Sequence, residues 1–426
     1  MSTNNLGQLL LLAICLTSLA TPSFAKTLII ADAYIDVVAG KRVDNVALTV
    51  EGNQIVSMQA SEDVEPADNL IDLSGYILLP GLFDMHTHMT SSAMDHGYKR
   101  LAKSRTRTAL GGVKHAKRTL MAGVTTVRNL GAGGFVDVDL RDAINDGDII
   151  GPRMFVSGPS LGITGGHCDA NLLPPDIPMT ADGVADGPWE VAKKVRQNIK
   201  YGADVIKICA TGGVLSKGTK VGVQQYTLEE MEMIVQESHR RGLVVGAHAH
   251  GTSGISDAIR AGVDSIEHAS FIDDEGIRLA KKNGTYLSMD IYVTEYILGE
   301  GEKAGILQES LDKERKVGKV QRENFRKAVE AGVKMVMGTD AGVYPHGDNL
   351  KQLSRMVEFG MTPIQALQAA SINSATLLKK QDLLGSLSTG KLADIIAVKG
   401  DPLADISIME QVDFVMKDGE VVKHVE

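Results

Sequence analysis

The sequence predicts an α/β fold: a (β/α)8 TIM-type barrel with a small β-sandwich domain built from both ends of the chain. Three observations lead there. Apolar, β-rich runs that end in Gly, Asp or His alternate with amphipathic helical stretches through the middle of the chain. Eight such runs can be placed: Leu78 to His88, Thr125 to Arg128, Arg153 to Val156, Val205 to Cys209, Val244 to His248, Ser265 to His268, Tyr286 to Ser288 and Val333 to Asp340. Both termini, finally, carry short strand and hairpin patterns that are too few at either end to bury a sheet alone.

At the N-terminus, Leu9 to Ala20 is an almost unbroken apolar run, followed by Thr21-Pro22-Ser23-Phe24-Ala25. It is short for a bilayer span, and small Ser23 and Ala25 fit a signal-peptidase site, so residues 1–25 read as a secretory signal and the mature chain as secreted or periplasmic. No Lys or Arg precedes the run, which leaves an uncleaved anchor as the alternative. Ile14 is bulky where a lipoprotein site at Cys15 wants a small residue.

Residues 26–80 form the first part of the β domain. Strands are expected over Thr27 to Ile30 and Ala33 to Val38, and Glu51-Gly52-Asn53 is a hairpin turn between Val46–Val50 and Gln54–Met58. Residues 386–426 complete the domain, with a strand over Leu392 to Val398 and a second hairpin around Lys417-Asp418-Gly419. The barrel occupies 81–385. Its helices include Trp189 to Tyr201, Leu228 to Arg241 and Gln321 to Ala331. Ala-Gly-Val recurs at Ala122, Ala261 and Ala331, where the glycine closes a helix in a left-handed conformation before the next strand.

Composition narrows the function. Hydrophobic content of 43% and charged content of 23% are ordinary for a globular chain, and 45 glycines suit many tight strand–helix turns. A net charge of −9 without a basic cluster argues against a nucleic-acid partner. Cys168 and Cys209 do not make a disulfide framework, and Cys209, two residues beyond Lys207 on an apolar strand, reads as a buried free thiol.

A barrel places its chemistry at the C-terminal ends of its strands. Strand one ends in His86-Thr87-His88, two imidazoles two residues apart and therefore on one face. Strand four carries Lys207, strand five His248 and His250, strand six Glu267-His268, and strand eight Asp340. Each has a bland explanation: a hydrogen-bonded histidine, a snorkelling lysine, a helix-capping aspartate. An ammonium inside an apolar strand is the hardest to explain that way, because unpaired burial costs several kcal/mol. Six such residues on five strands, His86, His88, Lys207, His248, His268 and Asp340, point together to a metal site.

That pattern, with the lead-in Pro80-Gly81-Leu82-Phe83-Asp84, resembles the amidohydrolase superfamily with a binuclear centre. Gly165-Gly166-His167, Ala210-Thr211-Gly212-Gly213-Val214 and Ala247-His248-Ala249-His250-Gly251 are similar to its imidazolonepropionase-like and prolidase-like branch, and within it to bacterial ochratoxin-degrading amidohydrolases. The resemblance implies two Zn²⁺ per subunit bridged by carboxylated Lys207. One ion would lie on His86, His88 and Asp340, the other on His248 and His268. It further implies Asp340 as proton carrier, a homo-oligomer of up to eight copies, and a small-molecule amide or dipeptide substrate; once the signal is cleaved, no stable membrane association is expected. The bond cleaved would be the amide of a small N-acyl amino acid or dipeptide with a free C-terminal carboxylate, such as ochratoxin A to ochratoxin alpha and phenylalanine. An Xaa-Pro or Xaa-Arg/Lys dipeptidase, and a lactonase or cyclic-amide hydrolase, are the alternatives. His250 is open between ligand and substrate contact. His167 and Tyr226 are expected to act in catalysis by polarising or binding the substrate, or else to be structural. His96, His115, His239, His346 and His424 are expected at the surface.

Overall fold

A computed structural model of the chain describes residues 25–425 except 62, 63 and 65. Residues 1–24 of the expected signal peptide therefore lie outside the described residues. No helix among them is long and apolar enough to cross a membrane.

The chain opens with four strands, β1 (Lys26–Asp36), β2 (Lys41–Glu51), β3 (Gln54–Ala60) and β4 (Asn69–Pro80). Alternating strands and helices follow: β5 (Leu82–Thr87), α1 (Arg105–Met121), β6 (Val124–Asn129), α2 (Val136–Asn145), β7 (Arg153–Val156), α3 (Pro188–Lys200), β8 (Val205–Cys209) and α4 (Leu228–His239). They continue with β9 (Val244–Ala249), α5 (Thr252–Ala261), β10 (Ser265–His268), α6 (Asp274–Asn283), β11 (Tyr286–Ser288), α7 (Val293–Ala304) and α8 (Gln308–Glu330). Three short helices, α9 (Lys351–Glu358), α10 (Pro363–Ala369) and α11 (Ile372–Leu377), lead to β12 (Ile395–Lys399), β13 (Phe414–Lys417) and β14 (Glu420–His424).

The strands β5 to β11 are wholly or largely buried, as parallel strands covered on both faces must be. They form parallel sheets in the orders β5-β6-β7 and β11-β10-β9-β8. Backbone bonds between Leu161 and residues 207 and 209 link β7 to β8. Residues 333–341 bond to Leu287 of β11 on one side and to Met85, His86 and His88 on the other. The arrangement is TIM-barrel-like. The expected eighth strand, Val333 to Asp340, is not a regular one: it is paired at a single bridge, Met335 with Leu287, and Asp340 turns it aside with φ +60°.

Two sequence features explain the repeat. Gly123, Gly262 and Gly332 have φ of +97°, +96° and +72°, which lets the chain leave each helix directly into the next strand. The expected run Leu78 to His88 is broken at Gly81, because β4 belongs to the terminal sheet and β5 to the parallel sheet with β6 and β7. A Cβ on Gly81 would overlap the Thr125 side chain of β6. The helix expected over Gln321 to Ala331 starts earlier, at Gln308, and runs 23 residues.

The terminal domain departs from a sandwich. Its seven strands form one sheet in the order β14-β13-β12-β4-β1-β2-β3. The reason is the length of β4. Its 12 residues pair with β1 through Asn69–Leu78 and with β12 through Tyr76–Pro80, so the two ends of the chain join edge to edge rather than face to face. A separate apolar cluster, including Ile29, Leu48, Leu73, Leu78, Ile395 and Phe414, fills that domain.

Candidate metal centre and active site

The strand ends converge on one cavity of about 130 Å³ lined by His86, His88, Lys207, His248, His268 and Asp340, with His167 and His250 beside them. Period-two alternation does this: His86 in β5, Lys207 in β8 and His248 in β9 all project inward near the C-terminal ends of their strands. Three groups of potential ligands are close enough to share an ion: His86/His88/Asp340, His248/His250/His268 and His268/Asp290/Asp340. Asp340 Oδ1 lies 3.1 Å from His88 Nε2 and 3.5 Å from His86 Nε2. His248 and His268 are 4.5 Å apart between ring centres, and His250 and His268 4.7 Å. Geometry alone gives His248 and His250 equal claim to the second group.

Electrostatics favour metal-competent protonation states. Burial, with Lys207 adding to it, holds His86 down to about 4, and burial drives His248 and His250 well below the ordinary histidine range. These rings are neutral, as ligands must be. Asp340 is opposed by burial but is held well below the carboxylate range by its hydrogen bond with His88 and by His268, so it is ionised. Burial lowers Lys207 to about 8 despite nearby Glu267 and Asp340. Its Nζ and the Nε2 of His248 are buried with no hydrogen-bond partner among the described residues. Orphaned polar atoms at this depth call for a ligand.

Behind the ligands stands a polar frame that sequence reasoning missed. Asp290 Oδ1 accepts from His268 Nδ1 at 2.8 Å and from Gln321 Nε2 at 3.0 Å, leaving His268 Nε2 for the cavity. Burial pulls His268 down, but Asp290 outweighs it and raises the ring's pKa. Glu267 Oε2 faces His86 Nδ1 at 3.4 Å without closing a hydrogen bond. Its other oxygen accepts from Arg128 Nη2 at 2.7 Å. Arg128 is wholly buried and also donates to the Met85 carbonyl at 2.6 Å and to Ser265 Oγ at 2.8 Å. Its signal was available: an arginine inside an apolar strand, as odd as Lys207. Asp84 holds the Asp340 turn. It accepts from the Thr339 N–H at 3.1 Å and from Asn349 Nδ2 at 2.7 Å, while burial raises its pKa to about 7.

His167 reaches the cavity on the loop after β7. Its ring stacks on His248 at 4.1 Å, and its Nδ1 meets Ser216 Oγ at 2.8 Å. A Cβ on Gly213 would overlap that ring, so the Gly212-Gly213 turn makes its room. Burial, with His268 and Lys207, lowers His167 to about 3, so it is a neutral hydrogen-bonding group.

Several expectations are corrected. Tyr226 does not reach the cavity. It is fully buried in the main apolar core and donates its hydroxyl to the Ala185 carbonyl at 3.1 Å, just before Thr227 caps α4. A hydroxyl so used cannot polarise a substrate carbonyl. Cys209 is not a free thiol, because it is disulfide-bonded to Cys168 with Cα atoms 6.0 Å apart. The bond ties the residue after His167 to the strand that carries Lys207. His346 is buried and stacks on half-buried His115 at 4.5 Å, and half-buried His96 bonds the Val343 carbonyl at 2.8 Å. His115 and His346 both hydrogen-bond the backbone of the first βα loop, at the Met89 and Ser91 carbonyls, and His96 lies on that loop. His239 and His424 are exposed as expected.

Residues 77–422 match the amidohydrolase family. The chain is 33% identical over 433 aligned residues to an ochratoxinase from Aspergillus niger, covering 95% of this chain and 88% of that one. That relative is fungal, which corrects the bacterial likeness expected from sequence. Imidazolonepropionase from Fusobacterium nucleatum is 23% identical, covering 90% of this chain and 94% of its own. A crystal structure of a Xaa-Pro dipeptidase with methionine bound in the active site superposes with a TM-score of 0.88 at 41% identity, covering 94% of this chain and all (100%) of the other. The chain belongs to the amidohydrolase family and is a hydrolase acting on C–N bonds.

Proposed function

We propose that the chain is a binuclear zinc amidohydrolase on a closed (β/α)8 barrel. Its substrate is the amide of a small N-acyl amino acid or dipeptide with a free C-terminal carboxylate. The observation that carries this is the cavity where a cluster of imidazoles, an ionised aspartate and an orphaned buried lysine meet. That donor set, all nitrogen and oxygen, suits Zn²⁺. His86, His88 and Asp340 would hold one ion, His248 and His268 the other, with Lys207 between them and His250 beside the second.

Burial that lowers Lys207 to about 8 makes its neutral amine accessible near neutral pH. That amine can add to CO2, forming an N–C bond and releasing one proton, to give a carbamate. The product replaces a buried cation with a two-oxygen anion that can serve both ligand groups.

When bound, the metals would polarise the scissile carbonyl and make water acidic enough to ionise near neutral pH. The protein's own groups do the rest. Asp340 accepts the proton of the attacking water and delivers it to the leaving nitrogen. Neutral His167 donates a hydrogen bond to the substrate carbonyl or carboxylate. Asp290 holds His268 in orientation through its hydrogen bond, and the Glu267 carboxylate stands behind His86 Nδ1. The likeness to proteins named ochratoxinase and Xaa-Pro dipeptidase supports ochratoxin A and Xaa-Pro dipeptides as the first compounds to try. The Cys168–Cys209 disulfide supports an oxidising, extracytoplasmic location.

The test is metal analysis of the purified chain together with a mass-spectrometric hydrolysis screen of dipeptides, N-acyl amino acids and ochratoxin A. Close to two zinc ions per chain and amide cleavage are expected, and Lys207→Ala should lose both metal and activity. One ion or none, an active Lys207→Ala, or cleavage of lactones alone would overturn the proposal.

A further inference from the structure

We infer that the mouth of the site selects amide substrates carrying a second negative charge beyond the C-terminal carboxylate, and that Arg100, Arg107 and Lys114 recognise it. This rests on the amide-hydrolase reading above and names the substrate class of that same site.

A mouth of about 460 Å³ opens onto the metal cavity, and the two share His88, His167, Leu215 and Val343. A substrate seated at the histidines therefore adjoins this mouth and can extend into it. Its lining holds five cations, Arg100, Lys103, Arg107, Lys114 and Lys217, against two carboxylates, Asp95 and Asp169. Both carboxylates are already engaged. Asp169 accepts from the N–H groups of Gly165, Ala170 and Ala181 at 2.7–2.9 Å. Asp95 pairs with Lys103 at 3.6 Å. Lys217 is occupied with the Tyr98 hydroxyl at 2.9 Å.

Arg100, Arg107 and Lys114 remain. Among the described residues they line the mouth with no ion pair and no side-chain hydrogen bond. Arg107 and Lys114 stand two turns apart on one face of α1, and Arg100 comes from the turn that precedes that helix. The chain as a whole carries −9, so a positive mouth is not a by-product of general basicity. Unpaired cations in a concavity focus their field on what enters, and a guanidinium matches a carboxylate with two parallel hydrogen bonds. The same field disfavours substrates with Arg or Lys side chains.

The experiment uses the zinc-loaded full chain and two isosteric pairs, Glu-Phe against Gln-Phe and Phe-Glu against Phe-Gln. In at least one pair the acidic member should have a kcat/KM roughly tenfold higher, and raising salt from about 50 to about 500 mM should shrink that ratio. The ratio should also fall towards one in Arg100→Gln/Arg107→Gln/Lys114→Gln. Ratios of one or less in both pairs, or a preference untouched by salt and by the triple substitution, overturn the inference and leave amide hydrolysis standing. Cleavage of none of the four while an Xaa-Pro dipeptide or ochratoxin A is hydrolysed also overturns the inference and leaves amide hydrolysis standing, whereas no cleavage of any of these amides overturns both.

Discussion

The Arg128–Glu267 pair is the most exposed to test, because its two consequences can be separated. Both side chains are completely buried, joined at 2.7 Å, with Glu267 also facing His86. Replacing Glu267 with Gln removes the anion and leaves a guanidinium in the protein core. Its bonds to the Met85 carbonyl and Ser265 hydroxyl are neutral and do not compensate the charge. Breaking a buried pair from one side costs about 3–5 kcal/mol. Arg128→Met should cost a similar amount by stranding Glu267. The double substitution Arg128→Met/Glu267→Leu removes both charges and should recover most of that loss, since an apolar pair of similar volume is often neutral. Metal affinity behaves differently. Every variant lacking Glu267 loses the group behind His86 Nδ1, and loss of such a partner weakens binding roughly 10- to 100-fold. Urea denaturation of the metal-free chain and competitive zinc titration give the two quantities. Single variants within about 1 kcal/mol of wild type, or a double variant that loses the sum of the singles, would refute the reasoning.

Three further outcomes follow from the structure. Tyr226→Phe should retain full activity while losing about 1 kcal/mol of stability, the worth of its bond to Ala185; a large fall in kcat would return Tyr226 to the reaction. Alkylation of the unfolded, unreduced chain should label neither Cys168 nor Cys209, and reduction should expose both and lower activity by freeing the His167 loop; labelling without reductant would rule the bond out. Asp137, buried and raised to about 6 from 3.8, binds its proton more tightly in the folded state. As pH rises from about 4 to about 6, the unfolded chain has released that proton and the folded chain has not, so stability falls by about 3 kcal/mol from this group and is then flat. Asp137→Asn should lack that slope relative to wild type in denaturation measured across the window.

The strand ends were legible because alternation converts sequence spacing into direction without any knowledge of neighbours. His86 and His88, Lys207, and His248 could be aimed inward from their own strands, and the barrel rule then placed them at one end. The helix-closing glycines were legible for the same local reason, since a left-handed residue is read from the few residues around it. What depended on meetings across the ring was not. Arg128 lies in β6 and Glu267 in β10, and nothing in either stretch names the other. Tyr226 precedes α4, and only the packing of Ala185 above it shows that its hydroxyl is taken. Val333 to Asp340 carries the apolar pattern of a strand, yet Asp84 and Asn349 bend its end away from regular pairing.

By itself, then, the sequence determined the α/β alternation, the strand-end residues and their membership in one family, because periodicity and local turn chemistry are written within a few residues. The tertiary structure decided the edge-to-edge terminal sheet, the Cys168–Cys209 bond, the frame of Arg128, Glu267, Asp290 and Asp84 behind the ligands, and the cationic mouth in front of them. Each of these is a contact between residues distant in the chain, and its energy exists only once burial has brought the partners together and removed the water between them.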